Sequence, residues 1–90
     1  NNRPGAMQRL GLGWDWFQPR HPGLVYCSIS AYGQDGPRGG EGGFDLTIQA
    51  AAGVMSVTGE AEGAPVKAGV PVSDFASGLY AAFSISALLN

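Results

Sequence analysis

From Phe75 to Asn90 the sequence carries no ionisable acid or base apart from the phenol of Tyr80. Phe75, Leu79, Tyr80, Phe83, Ile85, Leu88 and Leu89 fall on every side of a helix drawn through this stretch, and a helix apolar all round is a buried one. Ala76, Ser77, Gly78, Ala81, Ala82, Ser84, Ser86 and Ala87 are small enough to let neighbouring elements approach it closely. The run falls short of the ~20 residues a membrane helix needs, and its serines and glycine suit protein packing. A core helix over Asp74–Leu89, with no membrane partner, is therefore predicted. The preceding residues, Val70-Pro71-Val72-Ser73-Asp74, set one carboxylate at the mouth of that helix. Two roles are open to Asp74. It can offset the positive helix end, worth about 0.3–1 kcal/mol, or share with Ser73 the capping of the first free amides. Alternatively, a lone acid in apolar surroundings is a candidate for chemistry.

Composition bears on what surrounds this helix. Ninety residues make one domain or less, and a chain this short buries a small fraction of its surface. With 44% hydrophobic and only 13% charged residues, it has too little polar cover for a free-standing small domain. Asn1 stands where an initiator Met would, and the apolar pattern is still running at Leu88-Leu89-Asn90. The expectation is an internal fragment, residues 1–90 of one larger domain, with no complete domain boundary inside it. A net charge of −2 offers no basic footprint for nucleic acid. One cysteine, Cys27, makes no disulfide framework. One histidine and no Cys-x-x-Cys leave nothing to hold zinc, so no metal is expected. No signal peptide opens the chain, and a reducing, cytoplasmic enzyme is the expected setting.

Along the chain, Asn1 to Gly5 reads as a loop feeding a short helix, with Pro4 near a first turn where its missing amide hydrogen costs nothing. Gly11 and Gly13 end that helix. Trp14 to Gln18 is a second helical piece stopped by Pro19 and Pro22, and its aromatic residues must pack against something. Gly23–Ser30 carries the strand signal, being β-branched and aromatic after turn residues. Its nearly continuous apolar character suits a strand buried on both faces of a parallel sheet. Ala31-Tyr32-Gly33 then lie at its carboxyl end, the edge where open α/β sheets bind ligands. Gln34 to Gly43 is a loop of ten residues with five glycines; it lacks GxGxxG and the Walker lysine, so it is not read as a nucleotide loop. Its glycines fit a mobile cover over a site. Phe44–Val57 shows three-and-four spacing through Phe44, Ile48 and Met55, a helical pattern. Val66–Val70 is a short extended piece leading to Asp74. Strand and helices in this order argue for an α/β architecture.

Three phrases, in this order, carry a resemblance. The first is Asn1, Arg3-Pro4-Gly5, Met7 and Arg9-Leu10-Gly11. The second is Ser28-Ile29-Ser30-Ala31-Tyr32-Gly33-Gln34-Asp35-Gly36-Pro37. The third is Gly43-Phe44-Asp45, Gln49-Ala50, Thr58-Gly59 and Val70-Pro71-Val72 with Asp74. Over essentially the whole chain the sequence resembles the class III CoA-transferases, the family of formyl-CoA transferase, carnitine CoA-transferase and α-methylacyl-CoA racemase. The resemblance implies part of a Rossmann-like large domain and, at full length, an interlocked homodimer in which each chain threads through the other. That would account for the apolar surplus, and it implies that 90 residues alone are inactive.

It also implies a role for Asp74: nucleophile on the acyl-CoA carbonyl, giving a mixed anhydride and then an aspartyl-CoA thioester that an acceptor carboxylate discharges. This is covalent catalysis by a carboxylate, with helix-start amides expected to steady the developing oxyanion. Coenzyme A is then a co-substrate, and no separate cofactor is implied. Asn1 and Arg9 match positions lining the CoA nucleotide site, although Arg9 fits a solvated helix face equally well. Tyr32, Gly33 and Phe44 match the substrate pocket. Racemases of the family keep a histidine where Phe44 stands, and phenylalanine cannot carry a proton, so transfer is favoured over racemisation. His21 reads as a surface turn residue. An acyl-CoA racemase or isomerase using another base, or a CoA-binding scaffold without turnover, are the alternatives.

Overall fold

The computed structural model describes residues 1–90. Its elements in chain order are α1 (Ala6–Arg9), α2 (Trp14–Phe17), α3 (Asp45–Ala51), a 3-10 turn at Val54–Val57, and α4 (Val72–Leu89). The two short N-terminal helices fall where the sequence places them. Gly13 begins α2, and Trp14 and Phe17 on it each stand 5.8 Å from the ring of Tyr26. The Tyr26 hydroxyl donates to the Leu12 carbonyl at 2.9 Å. The aromatic residues of α2 therefore anchor the segment that follows.

That segment is not a strand. Residues 24–30 take up no regular structure, and no backbone hydrogen bond joins residues 25–33 to any other part of the chain. The β-branched pattern over Gly23–Ser30 is genuine, but a strand exists only through the ladder it shares with a neighbour. No second strand forms among the 90 residues, which are helical and irregular. The α/β expectation is thus not met within this chain.

The helix predicted over Phe44–Val57 is present but broken. Phe44 is extended (φ −125°) and precedes the first turn of α3. The Thr47 hydroxyl accepts the Phe44 N–H and donates to the Phe44 carbonyl, both at 2.9 Å. Gly53 (φ +78°) then turns the chain into the left-handed region and separates α3 from the 3-10 turn, a conformation that glycine adopts without steric penalty. In the glycine-rich loop, Arg38 lies 3.7 Å over the Tyr32 ring and pairs with Glu41 at 2.7 Å. The loop thus carries its own bracing rather than lying as an untethered cover.

α4 starts two residues earlier than predicted, at Val72, and runs to Leu89. At 18 residues and mean hydropathy 1.4 it is long and apolar enough to cross a membrane by length and composition. The expectation of a buried helix is overturned for this chain: Phe75, Leu79, Tyr80, Phe83, Leu88 and Leu89 are each 61–74% exposed. Its first turn meets α3 through the Ser73 N–H, which donates to Asp45.

The chain as a whole is open. Its radius of gyration is 16.3 Å, against about 12 Å for a compact domain of this length. Its accessible surface is 6726 Å², roughly 1,700 Å² above what a folded monomer of its mass exposes. No apolar side chain is fully buried; the buried residues are Gly13, Gly39, Asp45 and Gln49. The one enclosed side-chain cluster is therefore polar, and it lies where α3 and α4 begin.

Candidate active site

Asp45 is the first residue of α3, and its carboxylate faces the start of α4. Pro71 occupies the position before α4 and has no side-chain group to cap the helix. The first-turn amides would otherwise be orphans. Asp45 meets one of them from another element: Oδ1 accepts the Ser73 N–H at 2.8 Å. Val72 N–H closes a tight turn onto the Val70 carbonyl at 2.9 Å, and Phe75 N–H makes the first helical bond to Pro71 at 3.0 Å. Three of the four amides at the head of α4, those of Val72, Ser73 and Phe75, therefore have partners.

Gln49, one turn along α3 and fully buried, completes the cluster. Its Nε2 donates to Asp45 Oδ2 at 2.6 Å and, at 3.5 Å, lies at the edge of bonding range from the Val70 carbonyl. Its Oε1 accepts the Ala68 N–H at 2.9 Å. One side chain thus fixes the Asp45 rotamer and the segment that delivers the chain to α4. Burial pushes the Asp45 carboxyl up, but the Ser73 amide, the Gln49 side chain and the Asp74 amide outweigh it and leave it below the ordinary value of 3.8. Asp45 is ionised at neutral pH, with the positive ends of two helices at its side.

Asp74 is in the first turn of α4, as the sequence predicts, and it is exposed. Its carboxylate takes part in none of the side-chain hydrogen bonds or ion pairs of the chain. The capping role open to Asp74 in the sequence belongs instead to Asp45. Asp74 lines a cleft of about 760 Å³ together with Asn1, Arg3, Gly43, Phe44, Ser73 and Ser77. A Cβ on Gly43 would come within 2.7 Å of the Ala31 Cβ, so the loop reaches this wall only as glycine.

The cleft gathers three of the six sequence-nominated residues, Asp74, Phe44 and Asn1. Phe44 is 77% exposed and forms part of its wall. Arg9, Tyr32 and Gly33 do not line it. Arg9 is an exposed residue at the end of α1, and Tyr32 sits under Arg38. The oxyanion expectation also changes in part, because the Ser73 amide is already engaged by Asp45. Sequence reasoning passed over Asp45, Gln49 and Arg3 as site residues. Two polar side chains four apart on an otherwise apolar helical pattern share one face, and that spacing was the available signal. Arg3 lies along Gly42, whose Cβ would meet its Nε at 2.7 Å; nothing local in the sequence places it in the same cleft as Asp74.

An unpartnered acid at a helix start, held over a cleft by a second, buried acid, is an arrangement suited to carboxylate chemistry on a bound substrate. A family profile described as CoA-transferase family III matches residues 1–90, and the chain belongs to that family. It is 39% identical over 89 residues to a succinate–glutarate CoA-transferase of Agrobacterium fabrum, covering 99% of this chain and 22% of that one. It is 41% identical over 87 residues to the human succinyl-CoA:glutarate CoA-transferase, covering 97% of this chain and 20% of that one. Among solved structures, a CAIB/BAIF family protein from Brucella suis superposes with a TM-score of 0.92 at 36% identity, over 99% of this chain and 24% of that one. The chain spans about a fifth of the length of the curated relatives it matches.

Proposed function

We propose that this chain is the nucleophile-bearing segment of a CoA-transferase that moves CoA from an acyl-CoA thioester to a free carboxylic acid, with Asp74 as the nucleophile. The observation that carries the reading is that Asp74 lines the cleft with its carboxylate unpartnered while Asp45 does the capping. A carboxylate Oδ of Asp74 attacks the thioester carbonyl carbon, the C–S bond breaks, and CoA leaves as thiolate. The thiolate attacks the aspartyl carbonyl of the mixed anhydride, releasing the donor acid and leaving an aspartyl-CoA thioester. The acceptor carboxylate attacks that thioester, and the thiolate released then takes the acceptor's acyl group, restoring Asp74. Each step exchanges one nucleophile for one leaving group, and no cofactor is required beyond CoA itself.

The two curated relatives are named for succinate and glutarate, both dicarboxylic acids. We take the same class as acceptor here, with the exposed guanidinium of Arg3 in the cleft as a partner for the second carboxylate. Phe44 stands in the cleft wall where a racemase would need a proton carrier, and His21 lies among Trp16 and Phe17 instead, 6.4 and 6.2 Å from their rings. Transfer is therefore favoured over racemisation. The unpaired 24–30 segment and the exposed flank of α4 fit a Rossmann-like α/β domain whose sheet and core are completed by further chain, in an interlocked homodimer.

The test is made on the full-length protein. Wild type incubated with acyl-CoA and then hydroxylamine should convert Asp74 to a hydroxamate, seen as a mass change on its peptide. Asp74→Asn should keep the fold and CoA binding and lose transfer by several orders of magnitude, since a neutral amide cannot form the anhydride. An Asp74→Asn protein with turnover comparable to wild type would end the nucleophile reading.

A further inference from the structure

Nothing in the covalent chemistry requires a second acid, yet the most enclosed ionised group of the chain is 28 residues upstream of the head of α4 and bonded to it. We propose that Asp45, braced by Gln49, is a positioning residue that sets the Asp74 carboxylate for attack by taking the Ser73 amide of the first turn of α4 in its place. The inference rests on Asp74 being the nucleophile. The geometry supplies the reason. An acid in the first turn of a helix is a ready partner for nearby free amides, and a carboxylate bonded to them is a poorer nucleophile, aimed at the backbone rather than at a substrate. Here the Ser73 amide points to Asp45 Oδ1 at 2.8 Å. The competition is removed before substrate arrives.

The brace matters as much as the carboxylate. Gln49 Nε2 holds Asp45 Oδ2 at 2.6 Å, and Gln49 Oε1 holds Ala68 N–H at 2.9 Å. The chain before α4 and the carboxylate on α3 are thereby referred to one side chain. The residues on either side of this bridge, Phe44 and Ser73, both line the cleft, so a shift in the bridge is a shift of Asp74 relative to its pocket wall. Misplacement of a reacting group by about an ångström costs on the order of 100-fold in rate.

The experiment measures the rate at which Asp74 becomes hydroxamate in the full-length protein given acyl-CoA and hydroxylamine, alongside CoA affinity. Asp45→Asn places an amide NH2 or a weaker acceptor against the Ser73 amide; labelling of Asp74 should slow by on the order of 100-fold, with CoA affinity unchanged. Asp45→Glu, which keeps the charge and both acceptors, should recover much of the rate. Labelling of Asp45→Asn at the wild-type rate overturns the proposal. Equal slowing in Asn and Glu variants together with lost CoA affinity also overturns it, since that is a structural defect and not positioning. If wild type itself never labels, the nucleophile reading has failed and the positioning role falls with it, a result distinguishable from the first two. Should Asp45→Asn not fold, Gln49→Ala decides: it leaves the carboxylate and removes its brace, and normal labelling of that variant counts against the proposal as directly.

Discussion

Replacing Gln49 by leucine removes the bridge without changing any charge. The volume is nearly kept, but Asp45 Oδ2 loses its 2.6 Å donor and the Ala68 N–H its 2.9 Å acceptor. Each polar group left without a partner in an enclosed position costs about 1–3 kcal/mol. A leucine buried at the same site returns about 1.5–3 kcal/mol of apolar transfer free energy. The balance is a local destabilisation of about 2 kcal/mol, with charge on one orphaned group moving it upward. At 1.36 kcal/mol per factor of ten this corresponds to about 30-fold. The place to read it is amide exchange, because the bridge holds particular amides and local opening free energies are resolved segment by segment. In the full-length Gln49→Leu protein, peptides covering residues 66–75 should exchange about 30-fold faster than wild type, while peptides of α2 remain unchanged. Gln49→Glu should speed the same peptides at neutral pH, where two carboxylates face each other, and recover on acidification as a shared proton takes the place of the lost donor. Exchange over residues 66–75 at the wild-type rate in Gln49→Leu would show that the bridge does not hold the head of α4.

Two further outcomes are expected. The Asp45 carboxyl lies below its ordinary value of 3.8, so its contribution to the α3–α4 junction is complete above that pH and is lost as pH falls through the lower, folded-state value. Acid titration followed by exchange at Ser73 should therefore show opening only below pH 3.8, and Asp45→Asn should abolish that limb; opening that begins near neutrality would refute the assignment. With Phe44 in the cleft wall, a 2-methylacyl-CoA turned over in heavy water should gain no deuterium at its α-carbon, and wash-in at the rate of turnover would move the protein to the racemase branch.

What was legible in the sequence divides along a physical line. The start of α4 was legible because Pro71 and the loss of all charge after Asp74 are local features, and the helix begins within two residues of the expected place. The short helices at Ala6 and Trp14 were legible for the same reason, being bounded by glycine and proline. Residues 24–30 have strand composition, but pairing depends on a neighbour, and composition does not say where that neighbour is. The apolar flank of α4 likewise states a need for cover without stating what covers it. Helix 44–57 was overextended because its three-and-four spacing continues across Gly53, whose positive φ interrupts the helix without interrupting the pattern.

The capping expected of Ser73 and Asp74 is not what the structure shows. Ser73 and Asp74 were the natural candidates to cap their own helix, since capping is ordinarily a matter of neighbours in sequence. The cap instead comes from Asp45, 28 positions away, and a contact of that span leaves no trace in local propensity. Its only sequence signature is the pairing of Asp45 with Gln49 on one face of α3. That pairing has a consequence for chemistry. On the proposed reading of Asp74 as nucleophile, the Ser73 amide, engaged by Asp45, is not free to serve as an oxyanion donor. On that reading, the bond that leaves the Asp74 carboxylate unpartnered also takes one first-turn donor out of the reaction.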